Sequence, residues 1–308
     1  MRSFRYQAKD TPVHRLNPFA KLGWILSIII LALVMDNPLF LLFLLLGTLP
    51  LVRAARIWRE WLSFMKLALY LSAAIIIINA LVSSHGTHVL LELPGHLPLV
   101  GTPVITLEAI IYGVAMSLRL LGIISAFAVL TLTVNPDDMM LAMIKMKLPY
   151  KSVLVTSLST RFVPTLLDDV ERITDVQRSR GLELDKGKLS RRIRSRTSIV
   201  TALLANSLDR AVGVAEAMES RAFGTGRRRT FYRDIRLSPA DIAAVVFSLL
   251  PAALGIFMGI NGYGQYQYYP TLAWTNLSRG EWWLLGLMVL LVMALLPLAW
   301  LKQRVDLD

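Results

Sequence analysis

The chain has 308 residues, of which 55% are hydrophobic and 18% charged, and its mean hydropathy of +0.55 lies far above that of a soluble globular domain. Its apolar residues are gathered into runs of about twenty, each sufficient to cross a hydrocarbon core of roughly 30 Å, so the composition excludes a pair of soluble domains and indicates an integral membrane protein. The absence of cysteine excludes disulfides, a thiol nucleophile and cysteine-ligated metals.

Hydropathy predicts six membrane-spanning segments, at residues 21–34, 39–52, 62–82, 104–133, 242–260 and 282–300. The first two are short and joined by Asp36-Asn37-Pro38, which indicates a tight helical hairpin or a re-entrant pair, the hairpin being the preferred interpretation. No small-residue cleavage site follows the first apolar run, so we expect the first helix to remain in the mature protein.

Lysine and arginine are distributed unevenly between the loops. Five lie in residues 1–21, four in 53–66, twenty in 134–238 and two after Trp300, while Arg279 and Arg119 are the others. The positive-inside rule therefore predicts that both termini are cytoplasmic. The formal net charge of +12 is accounted for by this topology, so no nucleic-acid partner is expected.

The two predicted outer loops carry side chains that could suggest a site. Residues 83–103 hold three histidines, His85, His88 and His96, but no aspartate or cysteine accompanies them, so ordinary loop histidines are favoured over a metal site. Residues 261–280 are rich in tyrosine and glycine. The aromatic side chains in and next to this loop suit an interfacial belt; they are Tyr263, Tyr266, Tyr268, Tyr269, Trp274, Trp282 and Trp283.

Residues 134–238 carry twenty basic and twelve acidic side chains and still follow a helical pattern. Asn135-Pro136-Asp137 predicts the start of a short helix that ends near Lys147. A long amphipathic helix is predicted from about Ser152 to Arg180, kinked or interrupted near Pro164. After a charged, helix-poor linker at 185–196, a second long amphipathic helix is predicted from about Ser198 to Arg221.

Both long helices end on an arginine between two small residues. The tripeptides are Ser179-Arg180-Gly181 and Ser220-Arg221-Ala222, and their arginines are 41 residues apart. A cation at a helix C-terminus complements the helix dipole without any partner. Small neighbours also leave a guanidinium open to a carboxylate on another protein. The residues alone leave both interpretations open.

The fold class follows from these elements: an all-α integral membrane protein with about six transmembrane helices and a long cytoplasmic pair of amphipathic helices between spans four and five. Three segments are predicted: an N-terminal membrane domain (1–133), a cytoplasmic helical domain (134–238) and a C-terminal membrane segment (239–308). The chain has no G-x-x-x-x-G-K-[ST] motif, and Gly224-Thr225-Gly226-Arg227 lacks both its spacing and its lysine. ATP is therefore not expected to bind here by that route.

A set of short motifs resembles the transmembrane T component of energy-coupling-factor (ECF) transporters, the EcfT/CbiQ family, over residues 13 to about 233. The motifs are His14-Arg15-Leu16-Asn17-Pro18-Phe19-Ala20-Lys21, Leu118-Arg119-Leu120, Leu132-Thr133-Val134-Asn135-Pro136, Arg161-Phe162-Val163-Pro164, Gln177-Arg178-Ser179-Arg180-Gly181-Leu182 and Glu216-Ala217-Met218-Glu219-Ser220-Arg221-Ala222-Phe223-Gly224. Their order and spacing carry the resemblance, and no motif extends it to the last two hydrophobic runs.

The resemblance implies a non-catalytic energy-coupling subunit of an ABC-type importer for vitamins or for cobalt or nickel ions, without a cofactor, in the cell membrane of a bacterium or archaeon. In that family the arginines of two such motifs dock in grooves of two ABC ATPase subunits. Carried over, the ATPase contacts are Ser179, Arg180, Gly181, Ser220, Arg221 and Ala222. The family's usual first residue is alanine, and its second motif usually ends in glycine.

The resemblance implies a second partner, a substrate-binding membrane subunit (the S component). Arg119 is the one charge deep in a predicted span, where it contacts that subunit, joins an internal polar pair or snorkels to an interface. Arg161 and Pro164 are expected to shape the first long cytoplasmic helix.

Two other classes of function compete with this interpretation. A membrane enzyme acting on lipid-like substrates could use Asp137-Asp138 and Asp168-Asp169 to bind a divalent ion. A helix start and a polar stripe already explain both pairs. A self-sufficient secondary transporter is disfavoured because no intramembrane acid and no inverted repeat is visible in the sequence.

Overall fold

The computed structural model describes residues 9–83, 86–92, 104–146, 149–181, 189–224, 238–272 and 277–305. Helices dominate these residues, which confirms the predicted all-α membrane class. The helices are α1 (Pro12–Arg15), α2 (Pro18–Val34), α3 (Pro38–Ala54), α4 (Trp58–Val82), α5 (Leu107–Thr133), α6 (Pro136–Lys145), α7 (Tyr150–Ser179), α8 (Leu189–Ser220), α9 (Pro239–Ile260), α10 (Arg279–Met293) and α11 (Leu295–Val305). Two short strands, β1 (Val89–Glu92) and β2 (Val104–Thr106), pair antiparallel.

Four helical segments of the described chain are long and apolar enough to cross a membrane. They are α4, α5, α9 and the run Arg279–Leu301 formed by α10 and α11. The helices α2 and α3 are equally apolar but have only 17 residues each, or about 25 Å. All six predicted segments are therefore helical over most of their length, while the number of complete crossings stays a prediction.

The chain divides into two compact units, residues 1–139 with 236–308, and residues 140–235. In the first unit α9 packs along α2, and α10 packs against α3. Residues 239–308 were predicted as a separate segment. In the structure they belong to the same unit as the first four predicted spans. The second unit contains α7 and α8.

Helix contacts in the first unit depend on small residues along α5. Its buried positions are mostly alanine, glycine and serine, as the list shows: Ala109, Gly113, Ala115, Ser117, Gly122, Ser125, Ala126 and Ala128. In a bilayer the surrounding lipid is as apolar as the protein, so close approach of backbones replaces the hydrophobic effect as a source of helix association. This composition lets α5 pack against α2, α3 and α4.

Hydroxyl groups add hydrogen bonds between these helices. Ser125 Oγ lies 2.7 Å from Thr48 Oγ1 of α3 and accepts a 3.0 Å bond from Trp61 Nε1 of α4. Ser27 donates to the carbonyl of Ser248 over 2.6 Å, which joins α2 to α9. Each such bond contributes about 0.6 kcal/mol on average in a membrane protein, so together they fix helix register more than they add stability.

Asn-Pro pairs start three helices in the same way. Asn17, Asn37 and Asn135 precede α2, α3 and α6, and each side chain accepts a bond from a backbone N–H two residues later, at 3.1, 3.0 and 3.0 Å. The proline that follows occupies the first helical position, where a missing N–H has no consequence. The predicted cap at Asn135 is therefore correct, and α6 ends at Lys145, close to the predicted end.

Two sequence predictions need correction, and a third is narrowed. The helix α8 begins at Leu189, so most of the segment predicted as a helix-poor linker is helical. Arginine has a high helix propensity, and in this segment that propensity outweighs the repulsion between the arginine charges. The helix α7 runs through Pro164 without an interruption, so of the two alternatives predicted there the kink stays a prediction. Residues 104–106 form a strand rather than the start of the fourth span. Of the three loop histidines, His85 and His96 lie outside the described residues, and His88 Nδ1 lies 2.7 Å from Glu108 Oε1.

Candidate functional site

The C-terminal ends of α7 and α8 share an arginine C-cap followed by a residue with a left-handed φ. Arg180 caps α7, and its amide donates to Val176 O over 3.1 Å while the amide of Gly181 donates to Arg178 O over 2.9 Å. Gly181 has a φ of +82°, the left-handed conformation that reverses the chain after a helix. Open space surrounds its α-carbon, so glycine is needed here for its backbone conformation and not for lack of room.

At the end of α8 the chain forms the paired bonds of a Schellman motif. Phe223 N donates to Met218 O over 2.9 Å, and Ala222 N donates to Glu219 O over 2.8 Å. Arg221 is thus the C-cap, as Arg180 is for α7. Ala222 takes the left-handed position with a φ of +53°, which an alanine adopts only under strain. The departure from the family's glycine therefore leaves the backbone geometry of the motif intact.

The side chains of the two arginines are exposed, and neither guanidinium has a hydrogen bond or ion pair with any residue that the structure describes. Their preceding serines fold back onto the helices. Ser179 Oγ donates to Asp175 O over 3.0 Å, and Ser220 Oγ donates to Ala217 O over 3.1 Å. These hydroxyls are satisfied locally, so serine in place of the family's alanine demands no polar group from a partner.

The helices α7 and α8 run antiparallel. The ring of Tyr150, at the start of α7, lies 6.3 Å from the ring of Phe223, just past the end of α8. Further along both helices Arg210 Nη2 donates to Asp169 Oδ2 over 2.6 Å. Arg180 and Arg221 therefore lie at opposite ends of the pair. The rise of the helices alone separates them by about 30 Å or more. This separation means that the two arginines do not form one composite site.

Asp169 lies on the stripe of α7 that is predicted to face solvent. It is nevertheless buried, with 9% of its surface exposed. Its carboxylate is occupied by Arg210, so the suggested metal pair Asp168-Asp169 has one member already in an ion pair. Asp137 and Asp138 lie in the first turn of α6, as predicted. No group of three or more potential ligands that could hold a metal ion occurs within the described ranges.

The apolar stripes of α7 and α8 are partly exposed, although Ile199 keeps only 8% of its surface exposed. The exposed fractions are 50% for Val163, 52% for Leu167, 47% for Val176, 61% for Val200, 58% for Leu204 and for Leu208, and 56% for Val212. Contiguous exposed apolar surface of this kind marks an interaction face. Arg161 is exposed on α7, one turn before Pro164.

Arg119 forms an internal polar pair, one of the three outcomes that the sequence leaves open. Its Nη2 atom donates to Asp36 Oδ1 over 2.8 Å and to the carbonyl of Met35 over 3.0 Å. Asp36 lies in the connection between α2 and α3. Arg119, its partner, is twelve residues after the first residue of α5, so this connection lies beside the middle of α5. Asp36 was not predicted as the partner of Arg119 because its position between two apolar segments is typical of a loop residue.

A segment of the 261–278 loop covers this pair. The carbonyl of Gly264 accepts bonds from the amides of Asp36 and Asn37 at 2.9 and 3.0 Å, and Tyr268 Oη donates to the carbonyl of Asp36 over 2.5 Å. Tyr268 is 6% exposed, so it is not part of an interfacial belt as predicted. Trp282 and Trp283 are exposed, and Trp274 lies outside the described residues.

The first and third motifs of the resemblance lie together in the structure. Lys21 Nζ donates to Thr133 O over 2.8 Å and to His14 O over 3.2 Å, so this buried lysine caps the C-terminal end of α5. Burial and the neighbouring Lys21 and Lys9 charges lower the pKa of His14 to about 4, although a backbone bond to Leu132 opposes this shift. His14 is therefore neutral at physiological pH.

Comparison with known proteins agrees with the motifs. The family model for CbiQ, described as a cobalt transport protein, matches residues 9–232. An energy-coupling factor transporter transmembrane protein EcfT from Staphylococcus aureus is 30% identical over 82% of this chain and 95% of its own length. The EcfT proteins of Streptococcus thermophilus and Heliobacterium modesticaldum are 34% and 32% identical, each over 82% of this chain and over 96% and 94% of their own lengths. With its motifs, its helices and these relatives in agreement, the chain belongs to the EcfT/CbiQ family of membrane transport proteins.

Proposed function

We propose that this protein is the transmembrane energy-coupling subunit of an ECF-type ABC importer. It receives motion from two ATPase subunits at Arg180 and Arg221 and passes that motion to a substrate-binding membrane subunit. The observation that carries the proposal is the pair of exposed arginines, held in equivalent C-cap positions at opposite ends of α7 and α8.

The chemistry of each arginine fits a protein groove that contains a carboxylate. A guanidinium presents several N–H donors in a planar fork, and a carboxylate can accept two of them at once. The adjacent serine, glycine and alanine add little bulk, so the groove can close around the arginine. Because the two tips are far apart, each ATPase subunit contacts a different tip. ATP-driven movement of the two subunits then changes the force on both ends of one helix pair.

The exposed apolar stripes of α7 and α8 supply the second contact. The substrate-binding subunit packs against these stripes, and a shift of either helix changes that interface. The cargo, a vitamin or a cobalt or nickel ion, is selected by that subunit. The bacterial relatives support a location in the cell membrane of a bacterium or archaeon. The distribution of lysine and arginine supports an orientation with both termini in the cytoplasm.

Reversal of the charges at the two tips tests the proposal. Arg180→Glu and Arg221→Glu each remove one member of a desolvated charge pair, which weakens ATPase binding by about 2–5 kcal/mol, or at least about thirtyfold. Binding is measured by co-purification of the ATPases with the membrane subunit in detergent, and uptake is measured in cells. The double variant is expected to lose both.

The matched control is Arg172→Glu, which reverses an exposed charge on α7 eight residues before Arg180. It is expected to keep normal ATPase binding and uptake. If the double variant at the tips retains as much ATPase as the control does, the coupling role of these arginines is refuted.

A further inference from the structure

A cluster of arginine and tryptophan joins α3 to α4. Arg53, Arg56 and Arg59 are spaced three residues apart and are all exposed, and we refer to residues 53–61 as the basic turn. Trp58 and Trp61 lie within it, at the start of a helix that is long and apolar enough to cross a membrane. Tryptophan at such a helix end sits at the level of the lipid headgroups.

Arg56 holds an unusual backbone conformation. Its φ is +55°, in the left-handed region that favours glycine or asparagine after a helix. Its amide donates to Arg53 O over 3.0 Å and its carbonyl accepts a 2.9 Å bond from Lys9 Nζ, so the conformation is fixed from both sides. With the 3.3 Å bond from Ile57 N to Val52 O, these contacts form a Schellman turn that holds the backbone of Arg56 in place after α3.

That side chain has no hydrogen bond or ion pair with any residue in the described ranges. The acid within the basic turn, Glu60, is 2.9 Å from Lys9 Nζ and is already paired. The guanidinium of Arg53 lies 5.5 Å from the ring centroid of Trp58, which stacks on Trp61 at 5.1 Å. The turn therefore presents an excess of positive charge on an ordered aromatic base.

We propose that the basic turn binds the phosphate of an anionic phospholipid. Arg56 contacts the phosphate through its planar fork, Arg53 and Arg59 supply flanking charge, and Trp58, 38% exposed, packs against the lipid's glycerol and upper acyl carbons. A general positive-inside bias requires only that basic residues lie near the membrane. What distinguishes a binding site here is an arginine side chain, unpaired among the described residues, on a fixed backbone next to the stacked rings of Trp58 and Trp61.

The test uses the full-length protein in detergent, with dioleoylphosphatidylglycerol, dioleoylphosphatidylcholine or inorganic phosphate added in separate samples. Bound lipid is counted by native mass spectrometry, and melting temperature is recorded for the same samples. The wild type is expected to retain phosphatidylglycerol selectively and to melt at a higher temperature with it. Arg56→Gly is expected to bind phosphatidylglycerol about fivefold more weakly, the loss of about one basic contact at an anionic surface.

Arg56→Gly also separates binding from folding. Glycine relieves the left-handed strain, so this variant is expected to melt at a higher temperature than the wild type without added lipid, while its gain from phosphatidylglycerol shrinks. The control Arg279→Gln removes an exposed arginine at the start of α10 and is expected to bind like the wild type. Equal binding of phosphatidylglycerol by Arg56→Gly and the wild type refutes the proposal. Equal stabilisation by phosphatidylcholine, or by inorganic phosphate, refutes it as well.

Discussion

The ion pair between Asp169 and Arg210 is expected to hold α7 and α8 together. The two side chains are 2.6 Å apart, and only 12% of the Asp169 side chain and 32% of the Arg210 side chain are exposed. Removal of one partner from a buried pair costs about 3–5 kcal/mol because the other charge stays buried and unpaired. Arg210 is in contact with solvent over about a third of its surface, so we expect Asp169→Asn to cost about 2–3 kcal/mol in the stability of the helix pair.

A double-mutant cycle isolates this interaction from other effects of the substitutions. The variants are Asp169→Asn, Arg210→Gln and their combination, and the free energy of opening is measured by hydrogen exchange of the α7 and α8 amides. The coupling energy is expected to be about 1–2 kcal/mol, within the range for residues in direct contact. Uptake by the assembled transporter is expected to fall in both single variants although Arg180 and Arg221 are unchanged.

The adjacent Asp168 offers a matched control because it is exposed on the same turn of α7. Asp168→Asn is expected to change stability by less than about 0.5 kcal/mol, as for most surface substitutions. If Asp169→Asn is no more harmful than Asp168→Asn, or if the cycle gives no coupling between Asp169 and Arg210, the ion pair does not hold the helices and the reasoning is wrong.

Three further predictions concern the helix ends, the membrane unit and pH. Ala222→Gly relieves about 1–2 kcal/mol of left-handed strain, and this gain exceeds the loss of about 0.4–1 kcal/mol from the greater entropy of the unfolded chain. The variant is therefore expected to slow amide exchange at the end of α8. Gly181→Ala, which introduces the same strain, should speed amide exchange at the end of α7. Arg119→Gln leaves Asp36 unpaired and is expected to lower the melting temperature in detergent, which Arg119→Gln combined with Asp36→Asn should partly restore. The unfolded chain protonates His14 near pH 6.5 but the folded chain only near pH 4, so stability falls as the pH drops through this range. His14→Gln should flatten that decline in melting temperature between pH 7 and pH 4.

Local features of this chain could be predicted from its sequence. The ends of α7 and α8 were located to within one residue, because a helix stop depends on the few residues that form it: a last arginine, then a residue able to adopt a left-handed φ. The Asn135 cap was predicted for the same reason. Asn17 and Asn37 carry the same Asn-Pro signal, so the starts of α2 and α3 could have been predicted as well.

Contacts between distant residues could not be predicted in this way. Asp36 and Arg119 are 83 residues apart, and nothing near either one indicates the other. Tyr268 was assigned to an interfacial belt because tyrosine favours that zone in general, yet its hydroxyl bonds to the carbonyl of Asp36, 232 residues away. Asp169 was placed on a wet face by helical period alone. That period identifies the side of a helix, but not which charges a neighbouring helix covers.

The position of the Asp169–Arg210 pair bears on how force would pass between the two tips. Asp169 lies eleven residues before Arg180, and Arg210 lies eleven residues before Arg221. Each tip is therefore about 16 Å along its own helix from the same ion pair, and in an antiparallel arrangement the two tips extend from it in opposite directions. Equal distances mean that a displacement at either tip reaches the pair over the same length of helix. Under the proposed function, this single fixed point relates both ATPase contacts. Weakening it should then impair the response to both proposed subunits equally, whereas a change at one tip should impair the response to only one.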